Sequence, residues 1–170
     1  YQKLSKYKII TCFHKFYSPE DFESMELDSN YFMISTGINE NDLARLQSII
    51  EKIEVKFICI DVANGYTERF MNFVEQMRQH EATKNSIIIA GNVCTPETTE
   101  QIILAGADIV KIGIGPGSVC TTRKMTGVGY PQLNKSHFSG RALMSKGGDG
   151  TDENSNKPDG WMARYLHSAF

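Results

Sequence analysis

No apolar run in this chain approaches the ~18 consecutive residues that a membrane-spanning helix requires, so the sequence gives no sign of one. An excess of one charge is missing too. With 18 Lys and Arg against 20 Asp and Glu the formal net charge is −2, which gives no reason to expect nucleic acid or an anionic membrane as partner. Cysteine is sparse. The four thiols, Cys12, Cys59, Cys94 and Cys120, lie on or just after apolar runs and form no close pairs. That spacing argues against zinc or a disulfide scaffold and favours a reducing, intracellular setting. An initial methionine is also lacking: the sequence begins at Tyr1 in mid-pattern, as a fragment would, so the lack of a signal peptide carries little weight. What is present, 170 residues of which 41% are hydrophobic, suits one domain with a sizeable core.

Taken in order, the chain alternates between two periodicities. Tyr7 to Phe13 is β-branched and aromatic and predicts a strand over 8–13 with His14 and Lys15 at its exit. Ser18-Pro19-Glu20 is a helix start, a capping hydroxyl followed by proline at the first helical position. Strands are expected at 31–35, 56–61, 86–91 and 107–113, and helices at 39–53, 66–80 and 95–105, from apolar residues recurring at helical spacing such as Leu43, Leu46, Ile49, Ile50 and Ile53. Phe70 and Phe73 read as core. A βα unit repeated about five times implies a parallel sheet with helical crossovers. Each strand exit carries polar residues or glycine: His14 and Lys15, Thr36, Asp61, Asn92, then a glycine-rich loop. Near-constant spacing and five polar exits favour a (β/α)₈ barrel, whose active site forms at that face, over a doubly wound sheet with one switch point. The expected fold is α/β, a partial TIM barrel of about five units over 1–133. From Asn134 to Phe170 the βα rhythm stops; the tail reads as divergent and disordered or loop, with Trp161 to Leu166 able to form a short helix.

The last strand leads into the stretch 112–129, I-G-I-G-P-G-S-V-C-T-T-R-K-M-T-G-V-G, with five glycines around Cys120. Glycine permits positive φ and close approach to a ligand. A thiol beside a cation and exposed N–H groups has its pKa lowered, and the thiolate is the reactive form. Spacing alone leaves an inert, half-buried cysteine equally open. Likewise Lys15 alone reads as a solvated lysine, Asp61 alone as a helix cap, Cys12, Cys59 and Cys94 as small core residues, and His14 as a hydrogen-bonded structural histidine.

Gly113 to Arg123 (G-I-G-P-G-S-V-C-T-T-R) followed by G-V-G-Y-P-Q resembles the signature of the IMP dehydrogenase and GMP reductase family. C-I-D-V-A-N-G-Y (Cys59 to Tyr66), I-I-A-G-N-V (Ile88 to Val93) and H-K-F-Y-S (His14 to Ser18) look like the reductase branch of that family. The resemblance runs from about Tyr1 to Leu133 and implies a (β/α)₈ barrel that reductively deaminates GMP to IMP and ammonia with NADPH. It implies Cys120 as nucleophile toward purine C2 and Thr122 as proton relay at the leaving amine, in the family with a later glutamate that has no counterpart here. It implies Lys15, Asp61, Val62, Ala63, Ile114 and Gly115 as cofactor contacts, and Ser118 near the nucleotide phosphate. Carbonyls of Gly115, Gly117, Cys120 and Arg123 match a loop for a monovalent cation, K⁺. The resemblance further implies a cytoplasmic homo-oligomer, a tetramer in the family, with no nucleic-acid or membrane partner. Barrel units before Tyr1 and after Leu133, including the mobile flap, are expected to be missing. The alternatives are a catalytically inactive fragment that associates with full-length subunits and, less favoured by C-T-T-R and D-V-A-N-G-Y, an IMP dehydrogenase.

Overall fold

The computed structural model describes residues 1–115, 120–127, 129–130 and 166–167. Strands β1 (Thr11–Phe13), β2 (Phe32–Thr36), β3 (Phe57–Asp61), β4 (Ile87–Val93) and β5 (Ile109–Ile112) alternate with helices α1 (Pro19–Glu23), α2 (Glu40–Ile50), α3 (Glu68–Gln79) and α4 (Pro96–Leu104). A short helix α5 (Thr122–Thr126) follows β5, and Leu166–His167 form a two-residue strand β6.

The helices start where the sequence supplies caps. Ser18 Oγ accepts the Asp21 N–H while the Asp21 carboxylate accepts the Ser18 N–H at 2.7 Å, a reciprocal pair that satisfies two otherwise orphan donors. Thr67 Oγ1 accepts the Phe70 N–H at 3.3 Å at the start of α3, and Pro96 takes the first position of α4. Helix α4 ends at Gly106, where φ is +112° and the Ala107 N–H returns to the Ile102 carbonyl at 3.1 Å. A side chain there would also collide with Arg78, 2.7 Å from the position of a Cβ.

All strand pairs are parallel and run in chain order, β1-β2-β3-β4-β5-β6. This order decides the architecture. Right-handed crossovers that always step the same way place every helix on one face of the sheet, whereas a doubly wound sheet has to reverse direction. The sheet is therefore an arc of a (β/α)₈ barrel. One face carries Phe13, Ile34, Ile58, Ile60, Ile88, Ala90 and Val110 against Phe22, Leu46, Ile49, Phe70, Phe73, Val74, Met77 and Ile102, all buried. Burying a side chain of this kind contributes roughly 1.5–3 kcal/mol, so this layer is where the fold draws its stability. The register puts Cys12, Met33, Ser35, Cys59, Asp61, Ile89, Gly91 and Lys111 on the opposite, barrel-inner face.

Three expectations change. The first strand is shorter than 8–13, because Ser5–Tyr7 forms a 3₁₀ turn closed by Lys8 at φ +58°. Ile9 and Ile10 stay exposed, and the ladder begins where the Thr11 N–H meets the Tyr31 carbonyl at 2.9 Å. Cys12, read as a small core residue, is exposed: it lies on the inner face of β1, the end strand of the sheet, whereas Cys59 on the same face of the interior strand β3 is buried as expected, and Cys94 is half-buried. Leu166, placed by sequence in a short helix, pairs instead with Lys111 as part of β6, using the N–H and C=O groups that the outer edge of β5 presents. Residues 134–165 and 168–170 of the tail, with Trp161, lie outside the described residues. Among the described residues no helix is long and apolar enough to cross a membrane.

Candidate active site at the strand exits

The carboxyl ends of β1 to β5 carry the polar residues that the sequence singled out. Lys15, half-buried, extends over the β2 exit: a Cβ on Gly37 would lie 3.5 Å from its Nζ. The ammonium also sits 5.6 Å from the centroid of the Phe16 ring. His14 is exposed, and its Nδ1 accepts the Phe16 N–H at 3.3 Å, a local turn bond.

Asp61 ends β3 and caps no helix. Its carboxylate is paired with the Lys111 ammonium from β5, two strands away. Gly91 makes this possible. It stands between the two in the ladder, opposite Asp61 on one side and Lys111 on the other. A Cβ there would lie 2.6 Å from the Lys111 Cβ and 2.4 Å from its carbonyl oxygen, so only a glycine leaves the lysine room to cross β4. Lys111 was missed by sequence reasoning; the available signal was a lone charge inside the apolar strand I-V-K-I. After Asp61 the chain turns back. Val62 is half-buried and Ala63 exposed. The Val62 N–H donates to the Gly91 carbonyl, and the Gly65 N–H to the Asn92 carbonyl, each at 2.9 Å. Tyr66 is a second residue the sequence did not flag: its hydroxyl accepts the Cys94 N–H at 2.8 Å and so ties this segment to the β4 exit.

Beyond β5, Gly113 and Gly115 adopt φ of +145° and +56°, conformations that other residues rarely reach. Ile114 and Gly115 are buried. The Tyr130 N–H returns to the Ile114 carbonyl at 3.2 Å, which closes the cysteine loop on its own base. Cys120 stands just before α5, partly exposed, its Sγ 3.3 Å from Thr122 Oγ1. Hydrogen bonds from the Thr122 hydroxyl and then its backbone N–H, with a smaller contribution from the Arg123 charge, hold the Cys120 thiol below the usual cysteine range against a small opposing effect of burial. The Arg123 stem lies over Gly129, 2.1 Å from where a Cβ would be, and the Gly115 carbonyl oxygen is 3.4 Å from the same point. Gly115, Cys120, Thr122 and Arg123 thus meet in one loop. Gly117 and Ser118 lie outside the described residues, and among those described no cluster of three or more His, Cys, Asp or Glu could hold a metal.

The other thiols behave differently. Cys59 and Cys12 interact across β2: the buried Cys59 thiol is pushed up by that hydrogen bond and by burial, while the same bond lowers Cys12. Iodoacetamide is therefore expected to modify Cys120 and the exposed Cys12 first, Cys94 later and Cys59 last. Peptide mapping of a time course checks this, and labelling of Cys59 ahead of Cys120 would contradict the described geometry.

The family model for the IMP dehydrogenase/GMP reductase domain matches residues 23–143. A GMP reductase of Caenorhabditis elegans is 46% identical over 158 residues, covering 85% of this chain and 44% of the relative. One from Enterobacter sp. (strain 638) is 46% identical, with 85% and 45% covered. The chain spans a little under half the length of these curated relatives. A crystal structure of GMP reductase from Trypanosoma brucei aligns with TM-score 0.63 at 34% identity over 70% of this chain and 28% of that one. An inosine 5′-monophosphate dehydrogenase from Legionella pneumophila aligns with TM-score 0.67 at 32% identity, covering 76% and 40%. The parallel barrel arc, the cysteine loop at its β5 exit and a family match over most of the length agree: this chain belongs to the IMP dehydrogenase/GMP reductase family.

Proposed function

We propose that the chain carries the nucleophile and cofactor side of a GMP reductase, an oxidoreductase that converts GMP to IMP and ammonia with NADPH. The observation that carries this reading is Cys120 at the β5 exit, its thiol beside the Thr122 hydroxyl at 3.3 Å and lowered toward the thiolate. The thiolate attacks C2 of the purine and forms a covalent adduct, which divides one difficult step into two. Ammonia leaves, with Thr122 placed to pass a proton to the departing amine. NADPH, when bound, would supply hydride to C2, after which the C2–S bond breaks, releasing IMP and returning the Cys120 thiolate. Lys15, Asp61, Val62, Ala63, Ile114 and Gly115 would hold that cofactor: an ammonium, a carboxylate and main-chain groups gathered at the strand exits suit a phosphorylated, amide-bearing ligand. The Asp61–Lys111 pair fixes the carboxylate at the mouth of the arc. Carbonyls of Gly115, Gly117, Cys120 and Arg123 would be the ligands of a K⁺ ion, which prefers oxygen donors; that of Arg123 also accepts the Gly127 N–H at 3.1 Å. Ser118 serves the phosphate. The Trypanosoma brucei relative has been solved with GTP, and a variant of it with GMP, which supports a guanine nucleotide as ligand. A cytoplasmic homo-oligomer completes the proposal.

A second reading, an inactive piece that associates with full-length subunits, is favoured by Cys12 and Asp61, which are exposed on the inner face. One assay separates the readings. A version extended to the length of the curated relatives is expected to oxidise NADPH only when GMP is present, and the 170-residue chain to show no turnover. GMP-independent oxidation, or NAD reduction driven by IMP in place of it, would reject the reductase assignment.

A further inference from the structure

Asn92, at the β4 exit, gives each of three polar groups to a different neighbour. Its backbone N–H donates to the Val62 carbonyl at 3.0 Å, and its carbonyl accepts the Gly65 N–H at 2.9 Å. Its side-chain amide Nδ2 donates to the Gly113 carbonyl at 2.9 Å. The first two bonds hold the segment after β3; the third holds the exit of β5. Gly113, at φ +145°, also donates its N–H to the Val93 carbonyl at 2.8 Å. The cysteine loop leaves from this glycine and closes one residue later, where Tyr130 meets Ile114. Both ends of the loop therefore rest on the carbonyl-bearing turn that the Asn92 amide grips.

We propose that Asn92 is a positioning residue, which locks the base of the cysteine loop to the Val62–Gly65 segment and so fixes the separation between Cys120 and whatever that segment binds. Naming that ligand a dinucleotide rests on the function proposed above; the mechanical link does not. The residue type follows from the geometry. An aspartate would set an acceptor against the Gly113 carbonyl, and serine would fall short of it. Leucine has nearly the same shape with no donor, and would leave a half-buried carbonyl without that partner.

The test uses the 170-residue chain with Asn92→Leu and Asn92→Ala, neither of which alters charge. Two quantities are measured: the rate of Cys120 carboxymethylation at one fixed pH, and hydrogen exchange in peptides covering 61–66 and 111–115. With the grip lost, the Arg123 stem over Gly129 and the Thr122 donors are no longer held against the β5 exit. The carboxymethylation rate of Cys120 is then expected to fall about threefold to tenfold. Exchange in 111–115 should quicken, while 61–66, held by main-chain atoms of residue 92, should stay as in the wild type. Cys59 should remain protected. An unchanged Cys120 rate in both variants overturns the proposal. So does labelling of Cys59 in both, which would make Asn92 a general support of the fold. Neither readout uses a nucleotide, so failure of the reductase reading leaves this result distinct.

Discussion

Cys120→Ala, in a version of the chain extended to the length of its relatives, is expected to abolish GMP-dependent NADPH oxidation, a loss of about four orders of magnitude or more. The loss is large because no second nucleophile can take over. Cys59 is buried on β3 with its thiol pushed up, and Cys94 follows β4, its N–H engaged by Tyr66. Cys12 is exposed but belongs to β1, at the far side of the arc. On the proposed mechanism, removing the thiol deletes the covalent step and leaves the proposed cofactor contacts of Lys15 and Asp61 in place, so NADPH binding measured by fluorescence should persist. Thr122→Ala is expected to act more selectively. On the proposed mechanism the hydroxyl handles the proton of the leaving amine, so single-turnover measurements should show amine release slowed more than hydride transfer. Its pH profile has a defined sign. The lowered thiol owes most to Thr122, so the variant's rate should need higher pH to reach its plateau. Wild-type rates in the Cys120→Ala enzyme would remove the mechanism altogether.

Arg78→Ala is expected to cause the largest loss of stability of any single side-chain truncation outside the apolar layer. Arg78 sits near the end of α3 and binds two other segments. Its Nε donates to the Gly106 carbonyl at 2.8 Å, and its two terminal nitrogens reach the Lys84 carbonyl at 2.7 Å, the Ser86 carbonyl at 3.2 Å and the Asp108 carboxylate at 2.5 Å. The same Asp108 oxygen accepts the Ile88 N–H at 2.8 Å. One guanidinium therefore joins α3, the entry to β4 and the turn between α4 and β5. Both side chains are mostly shielded, 28% and 19% exposed. Truncation leaves the carboxylate and three carbonyls without this donor, which costs about 2–4 kcal/mol after allowing for the partial exposure of the pair. Arg78→Lys keeps the charge but not the planar fork, and should recover less than half of that. Urea unfolding followed by circular dichroism measures both variants. Because the network lies at the amino ends of the strands, Cys120 labelling under native conditions should be unchanged; a loss below about 0.5 kcal/mol would show that water replaces the guanidinium at little cost.

The alternation of strand and helix, the helix start at Ser18, and the placing of Cys120 in a glycine-rich loop after a strand were all legible in the sequence. Each is set by neighbours within a few residues: a period of two or of 3.6, a hydroxyl or proline at a helix start, a glycine where φ turns positive. The set of polar strand exits was legible for the same reason, since an exit is where a strand pattern stops. What the tertiary structure decided depends on contacts far apart in the chain. Cys12 has the composition of a core residue, but register turned it to the inner face. Lys111 reads as one odd charge in a strand until β3 and β5 are brought to either side of Gly91, where it meets Asp61, 50 positions earlier. Asn92 reads as a polar exit until β5 delivers the Gly113 carbonyl to its amide. Arg78 reads as an ordinary charge near a helix end until Gly106 and Asp108 arrive beneath it. The local pattern specifies which face of an element is apolar. Which side chains from separate strands share a site is fixed only when parallel pairing sets the register, and a shift of one residue would have turned each of them to the other face.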